Sequence, residues 1–255
     1  MTKQIMMIAN WKMNPSKVRD AISLAKESTK EKTGKDINIV LAAPTIFLES
    51  LIKSVKKVHF SAQNCASFPS GPYPGEVSAS MLSGIGVKYV ILGHSERRAL
   101  KETNQDIAEK VSQAIKSGLT PILCIGERER DQTGFYLHEV KSQLETCLSQ
   151  IPKSKIDNVI IAYEPVWAIS SQHGRETTQA EFLEMMLFIR KVVTDLSGVK
   201  AHANMPIIYG GSANDKNILQ YLEAGAGGFL VGHASLEPKK FSKMIEITRE
   251  FLKRK

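Results

Sequence analysis

Three side chains capable of acid–base or electrostatic chemistry each follow a short apolar run of the chain. They are Lys12, His94 and Glu164. A carboxylate can remove a proton from carbon, an imidazole can donate a hydrogen bond to a carbonyl oxygen, and an ammonium group can offset the negative charge that develops. This combination is suited to proton transfer next to a carbonyl group, through an enediolate.

Glu164 lies in the most informative stretch of the sequence, between Ile160 and Trp167. An apolar run stops at this carboxylate, and Pro165 then restricts the backbone. A carboxyl group held at the end of a buried strand, with little water around it, is suited to general-base catalysis. Residues 168–174 are mostly small or polar and predict a mobile lid that excludes water. The alternative is an ordinary strand end with a solvated glutamate.

His94 and Lys12 suggest how a developing negative charge would be stabilised. His94 precedes Ser95-Glu96-Arg97-Arg98, where a helix could begin. The N–H groups at a helix N-terminus disfavour a positive charge, so we expect a neutral imidazole that donates a hydrogen bond. Lys12 follows Asn10 and Trp11 and is predicted to offset the charge of a bound anion. The alternatives are a histidine satisfied in the core and a lysine at the surface.

Glycine-rich segments follow the last two apolar runs, as Gly210-Gly211-Ser212 and Gly232-His233. Glycines let backbone N–H groups approach an anion closely, so these segments predict a phosphate site that includes Ser212, Gly232 and His233. We expect the backbone N–H of His233, rather than its ring, to face the phosphate. The alternative is that the glycines serve only as tight turns.

The elements that must position these residues can be predicted from the spacing of apolar residues. Near-continuous apolar runs alternate with segments of helical periodicity, a pattern typical of parallel strands buried on both faces. The predicted strands are residues 5–9, 37–42, 58–62, 89–92, 121–125, 159–163, 206–209 and 229–231. Eight units of about 32 residues predict an α/β protein that forms a closed (β/α)8 barrel, also called a TIM barrel. Residues 1–255 are predicted to form this barrel as a single domain. Functional residues of such barrels gather at the carboxyl ends of the strands, where Lys12, His94 and Glu164 would meet.

Composition restricts the class of protein. Of the 255 residues, 42% are hydrophobic and 24% charged, which is typical of a globular chain. No apolar run is long enough to span a membrane and the N-terminus lacks a signal-peptide pattern, so we expect a cytoplasmic protein without a membrane partner. The three widely spaced cysteines predict free thiols and no metal site. The net charge of +8 is expected to reflect a solvated basic surface, because no nucleic-acid-binding signature accompanies it.

Over nearly its whole length the sequence closely resembles the triosephosphate isomerase family. The stretch from Ala162 to Ile169 is close to diagnostic. The other segments that carry the resemblance, in the order of the family, are Asn10-Trp11-Lys12-Met13-Asn14, Ala62-Gln63-Asn64, Gly93-His94-Ser95-Glu96-Arg97-Arg98 and Tyr209-Gly210-Gly211-Ser212.

The resemblance implies a cofactor-free isomerase of glycolysis and gluconeogenesis that interconverts dihydroxyacetone phosphate and D-glyceraldehyde 3-phosphate as a homodimer. It implies Glu164 as the base, His94 as the electrophile and Lys12 as the electrostatic partner. It further implies Asn10 as a catalytic and substrate contact, and Ser170 in the lid as a substrate contact.

The sequence departs from the family pattern at four places, one of which is a segment after Glu127 that is a few residues short. The family has glycines at two lid positions where this chain has Ser170 and Gln172, and Gly174 lies in the second hinge. We therefore expect this lid to close less efficiently. His233 stands where the family usually has a second glycine. Pro74 replaces the threonine of the interface loop, although we still expect a homodimer.

Two other functions are to be weighed against an isomerase. A catalytically silent barrel could bind phosphorylated metabolites, but the joint presence of Lys12, His94 and Glu164 argues against it, and an isomerase assay would discriminate. An aldolase that forms a Schiff base needs a lysine late in the barrel, and predicted strands six to eight end without one.

Overall fold

Eight parallel strands pair in chain order and close into a barrel, with β1 hydrogen-bonded to both β2 and β8. The structure is a computed structural model that describes residues 4–30, 34–169, 175–198 and 205–254. The strands are β1 (Ile5–Asn10), β2 (Ile37–Ala42), β3 (His59–Ala62), β4 (Tyr89–Leu92), β5 (Thr120–Ile125), β6 (Ile160–Tyr163), β7 (Ile207–Tyr209) and β8 (Gly228–Val231). The predicted (β/α)8 fold is therefore confirmed, and no strand boundary differs from its predicted position by more than one residue.

Helices follow the strands and cover the outside of the barrel. They are α1 (Val18–Ser28), α2 (Thr45–Ser54), α3 (Ala79–Gly84), α4 (Ser95–Ala99), α5 (Asn104–Lys116), α6 (Phe135–Cys147), α7 (Gln179–Ser197), α8 (Ile218–Glu223) and α9 (Pro238–Lys253). Helix α5 begins earlier than its first apolar residue because Thr103 and Asp106 form a reciprocal capping box. None of the helices in the described residues is long and apolar enough to cross a bilayer.

The core has two layers, which explains why the strand sequences are continuously apolar. Alternate strand residues, such as Ile8, Ile122 and Ile208, fill the barrel interior. Their neighbours along the strands, such as Met7 and Leu123, pack outward against the helices. The three cysteines are buried free thiols.

The close pairing of β8 with β1 requires a glycine. At Gly228, where β8 meets β1, a Cβ atom would lie 2.1 Å from the carbonyl oxygen of Met6, and the backbone has φ +147°. Only glycine fits so close to a neighbouring strand in this conformation. The eight carboxyl ends are thereby brought to one rim.

Candidate functional site

The carboxyl ends of the strands surround a cleft of about 1120 Å³. The residues predicted from the sequence that line it are Asn10, Lys12, His94, Glu164, Ser212, Gly232 and His233. Asn10 ends β1, and the others follow the ends of β1, β4, β6, β7 and β8. The structure thus brings these predicted site residues together, whereas Ser170 lies outside the described residues.

Glu164 follows β6 and is almost completely buried, with 2% of its surface exposed. Its Oε1 atom lies 3.4 Å from Nε2 of His94, and its Oε2 atom accepts a hydrogen bond of 3.1 Å from the backbone N–H of Ser95. A substrate proton that approaches Oε2 would have to compete with the Ser95 N–H for this oxygen. The alternative of a solvated glutamate at an ordinary strand end is wrong.

His94 is oriented by the start of helix α4. It occupies the N-cap position, and its Nδ1 atom accepts a hydrogen bond of 3.2 Å from the backbone N–H of Glu96. A nitrogen that accepts this bond carries no proton, so the hydrogen-bond pattern assigns the proton of a neutral ring to Nε2. That atom faces the Glu164 carboxylate, and a substrate carbonyl placed between them would receive a hydrogen bond from neutral imidazole.

Lys12 is held in an uncommon backbone conformation, with φ +51°. Its N–H group donates to Oδ1 of Asn10 at 3.1 Å, and its carbonyl accepts from Nε2 of Gln63 at 2.9 Å. These bonds offset the cost of left-handed backbone in a non-glycine residue. The Lys12 ammonium group pairs with the Glu96 carboxylate, so the helix that orients His94 also holds the lysine.

The predicted phosphate end of the cleft is built by the segments after β7 and β8. A Cβ atom at Gly232 would lie 3.7 Å from Cε of Lys12, which places this backbone beside the lysine. The Ser212 hydroxyl donates to the carbonyl of Ala168 at 2.7 Å. The His233 side chain is 85% exposed and its Nε2 atom lies 4.0 Å from Oε1 of Glu237, so the ring is turned towards solvent.

The two glycines after β7 also make room for neighbouring side chains. A Cβ atom at Gly210 would lie 2.7 Å from Cγ of Glu164, and one at Gly211 would lie 2.2 Å from the Tyr209 hydroxyl. A side chain at either position would displace a neighbour. Glycine is therefore required at position 210 because the Glu164 side chain occupies the space of a Cβ atom. This is a separate reason from the predicted contact between the Gly210 backbone and a bound anion.

Replacing Gly210 by alanine is expected to displace the Glu164 carboxylate and to lower kcat by about 10–10²-fold, the usual cost of a small misplacement of a reacting group. Circular dichroism should show a retained barrel. The matched control is Gly84→Ala at the end of α3, where an added Cβ would meet no heavy atom within 4 Å. If the two variants were equally active, the claim that a Cβ atom at position 210 displaces the Glu164 carboxylate would be wrong.

Comparison with known proteins agrees with this geometry. The family model described as triosephosphate isomerase matches residues 5–248. A triosephosphate isomerase of Porphyromonas gingivalis strain W83 is 39% identical over 244 residues, which cover 93% of this chain and 96% of that protein. One of Natranaerobius thermophilus is 35% identical over 248 residues, which cover 95% of each chain. The chain belongs to the triosephosphate isomerase family.

In this member of the triosephosphate isomerase family, several residues that were not predicted as part of the site support it. Glu96 and Ser95 lie inside a recognised motif, yet their contacts with Lys12 and Glu164 depend on how β1, β4 and β6 come together. Gln63 likewise reaches across two strand ends, to the carbonyls of Lys12 and Ala42. The signals in the sequence were their place in the family motifs and their positions just after predicted strands.

Glu127 was not predicted as part of the site, although it anchors the segment that carries the base. It is fully buried after β5, and its Oε1 atom accepts hydrogen bonds from the Tyr163 hydroxyl at 2.8 Å and the Trp167 indole at 2.9 Å. Its backbone carbonyl accepts from the N–H of Val166 at 3.0 Å. Burial raises the pKa of the Glu127 carboxyl, although these side-chain hydrogen bonds oppose the shift.

Replacing Glu127 by glutamine is expected to remove a pH-dependent loss of stability. Because the folded-state pKa of Glu127 is raised, the native protein holds this proton at pH values where the unfolded chain has released it. Native stability therefore falls as pH rises through the raised pKa. The glutamine variant keeps an oxygen acceptor for Tyr163 and Trp167 but does not titrate, so its Tm relative to the unmodified protein should increase with pH.

The measurement is Tm at equal protein concentration between about pH 4 and about pH 8, where about 2–4 °C corresponds to each kcal/mol for a chain of this size. Glu129→Gln, an exposed neighbour, is the control and should show a constant difference. If the difference in Tm between Glu127→Gln and the unmodified protein were also constant with pH, burial would not raise the pKa of Glu127.

Proposed function

We propose that this chain catalyses the reversible interconversion of dihydroxyacetone phosphate and D-glyceraldehyde 3-phosphate, as a triosephosphate isomerase of glycolysis and gluconeogenesis. The observation that carries the proposal is the buried carboxylate of Glu164, 3.4 Å from Nε2 of His94, in a cleft that Lys12 also lines. Family membership supports the same reaction.

In this reaction Glu164 removes a proton from the carbon next to the substrate carbonyl, and the carbonyl becomes an enediolate. The Nε2–H group of His94 donates to an enediolate oxygen, and the Lys12 ammonium offsets its charge. Asn10 holds the Lys12 backbone and contacts substrate. The hydroxyl proton of the enediolate passes, by way of Nε2 of His94, to the former carbonyl oxygen. Glu164 returns its proton to the adjacent carbon, which completes the isomerisation. Only protons move and these side chains supply the acid and the base, so the proposal includes neither cofactor nor metal.

The phosphate of the substrate is proposed to lie against the segments after β7 and β8. The contacts proposed from the sequence are Ser212, Gly232, the backbone N–H of His233, and Ser170. The outward orientation of the His233 ring supports a backbone contact at that residue.

The test of the proposed function is steady-state isomerisation of glyceraldehyde 3-phosphate by the purified protein. Turnover supports the isomerase. Binding of a phosphate-containing inhibitor without turnover would instead indicate the alternative, a silent barrel that binds phosphorylated metabolites. Family membership does not favour that alternative, and neither does a site that retains the base, His94 and Lys12 together.

We also propose that residues 1–255 form one domain that acts as a cytoplasmic homodimer, without a nucleic-acid or membrane partner. The support for a dimer is a set of exposed apolar side chains that all follow the carboxyl ends of β1 to β4. They are Met13, Ile46, Phe68, Tyr73, Met81 and Leu100. The Phe68 and Tyr73 rings stack with centroids 4.0 Å apart, which gives the segment after β3 a rigid apolar tip.

Light scattering at micromolar concentration is expected to give twice the chain mass of 28.2 kDa, because burial of these side chains against a second copy removes apolar surface from water. Pro74 removes an N–H donor but restricts the unfolded chain, so it does not change this expectation. A monomer with full activity would refute the proposed dimer.

A further inference from the structure

Arg175 makes two contacts that the isomerase reaction does not explain. Its guanidinium carbon lies 4.5 Å from the centroid of the Trp167 ring, an arrangement in which cation and ring attract. Its two terminal nitrogens pair with the two carboxylate oxygens of Glu181, one of them at 2.9 Å. This paired geometry is specific to arginine because the guanidinium group presents parallel donors.

Glu181 is a firm anchor for this contact. Only 18% of its side chain is exposed, and it forms a capping box with Thr178 at the first turn of α7. The Arg175 pair and the Thr178 hydrogen bonds hold the pKa of Glu181 at about 2, so the carboxylate stays charged at any pH at which the enzyme is assayed. The Arg130 guanidinium lies 3.9 Å from the same carboxylate, on the side of Tyr136 and Glu184.

Trp167 is consequently held from two directions. The edge of its indole donates to buried Glu127 at 2.9 Å, and its face is covered by Arg175. The chain of contacts therefore runs from Glu127 through Trp167 and Arg175 to Glu181 on α7. These contacts fix the orientation of the Trp167 ring and its position relative to α7.

The orientation of Trp167 bears on Glu164 through a very short, stiff connection. Trp167 lies in the 3-10 turn Val166–Ala168, which begins directly after Glu164 and Pro165. Pro165 has φ −62° and cannot rotate freely, so a shift of the turn is passed to the Glu164 backbone. Arg175 itself is not among the residues that line the described part of the cleft, although the next residue, Glu176, is. Any influence of Arg175 on Glu164 must therefore pass through Trp167.

We propose that Arg175 is a positioning residue for the general base: by covering Trp167 and pairing with Glu181, it fixes the turn that sets the location of the Glu164 carboxylate. The proposal rests on the proposed isomerase function. Arg175 acts through Trp167 and touches no reacting atom, so its loss changes the chemical step and leaves substrate binding nearly unchanged.

The test compares Arg175→Met with the unmodified protein in steady-state kinetics and in acrylamide quenching of tryptophan fluorescence. Methionine retains an apolar side chain over the indole but neither the charge nor the carboxylate pair. We expect kcat to fall about tenfold, part of the cost of misplacing a reacting group, with KM changed less than twofold. Quenching should increase, because methionine is not tied to Glu181 and holds the Trp167 ring less firmly, while the other tryptophan, Trp11, is fully buried.

Two further variants separate positioning from folding. Glu181→Gln keeps the capping box, because glutamine serves at that helix position, but it releases Arg175. It should reproduce the fall in kcat, and the double variant with Arg175→Met should be no worse than either single change. Arg175→Lys keeps the charge over the ring and should recover part of kcat. The matched control is Arg19→Met, an exposed arginine beside Asp20, which should change neither readout.

Several results would overturn the role of Arg175. They are an unchanged kcat in Arg175→Met, a rise in KM with kcat retained, or additive effects of the Arg175 and Glu181 changes. An unmodified protein that does not isomerise triose phosphate would refute the proposed function itself. Quenching would then still show whether Arg175 covers Trp167.

Discussion

Replacing Glu164 by glutamine is expected to lower kcat by about 10²–10⁴-fold, the usual contribution of a positioned general base. The amide is nearly the same shape, so it can still accept the Ser95 N–H bond and remain next to His94. It cannot take a proton from carbon, and the chemical step loses its base. The measurement is steady-state kinetics in both directions of the reaction.

Because the change alters charge but hardly volume, the barrel and substrate binding should survive. Circular dichroism, Tm and the affinity for a phosphate-containing inhibitor establish this. Glu250→Gln, an exposed glutamate on α9, is the control and should retain full activity. A loss of less than about tenfold in Glu164→Gln would show that another group is the base.

Replacing Lys12 by methionine is expected to lower kcat/KM by about 10²–10³-fold, because removing one member of a charge interaction inside a cleft typically costs about 2–5 kcal/mol. The ammonium group is proposed to offset the charge of both the substrate anion and the enediolate, so kcat and the affinity for a phosphate-containing inhibitor should both fall. The variant also leaves the Glu96 carboxylate without its ammonium partner, which adds repulsion towards the substrate.

Lys57→Met is a closely matched control for that experiment. Lys57 is exposed and, like Lys12, is a lysine with left-handed backbone, at φ +71°. The same substitution there tests the effect of methionine at a positive φ without touching the cleft. If Lys12→Met reduced Tm but left kcat/KM within a few-fold of the unmodified value, the role of Lys12 would be structural.

The fold could be predicted closely because strands buried on both faces have continuously apolar sequences. The run that became β2, residues 37–42, is apolar throughout because its alternate residues face the barrel interior and the helices. Apolar spacing alone does not give the start of α5, because Thr103 and Asp106 cap this helix before its first apolar residue. Val18 follows the helical spacing of Ile22 and Ala25, yet it is 39% exposed because it is the first residue of α1.

The places of the candidate site residues in the cleft could be predicted because each ends or follows a strand, but their hydrogen-bond partners could not. The hydrogen bond from Trp167 to Glu127 joins residues 40 positions apart, and that from Ser95 to Glu164 joins residues 69 apart. No local pattern encodes such pairs, which depend on which strands become neighbours. The glycine at 210 likewise looked like part of an anion site, and only the structure shows that it clears space for Glu164.

The most direct test of the central claim is isomerisation of glyceraldehyde 3-phosphate in ²H₂O by the unmodified protein, followed by NMR of the product. If Glu164 takes the proton from carbon and holds it during the life of an enediolate, some of that proton exchanges with solvent before it returns. The dihydroxyacetone phosphate formed should then carry deuterium on the carbon next to its carbonyl, well above the level in a parallel sample with Glu164→Gln. If the Glu164→Gln sample converted the substrate as fast and gave an equally deuterated product, another group would be taking the proton, and this result would contradict Glu164 as the base.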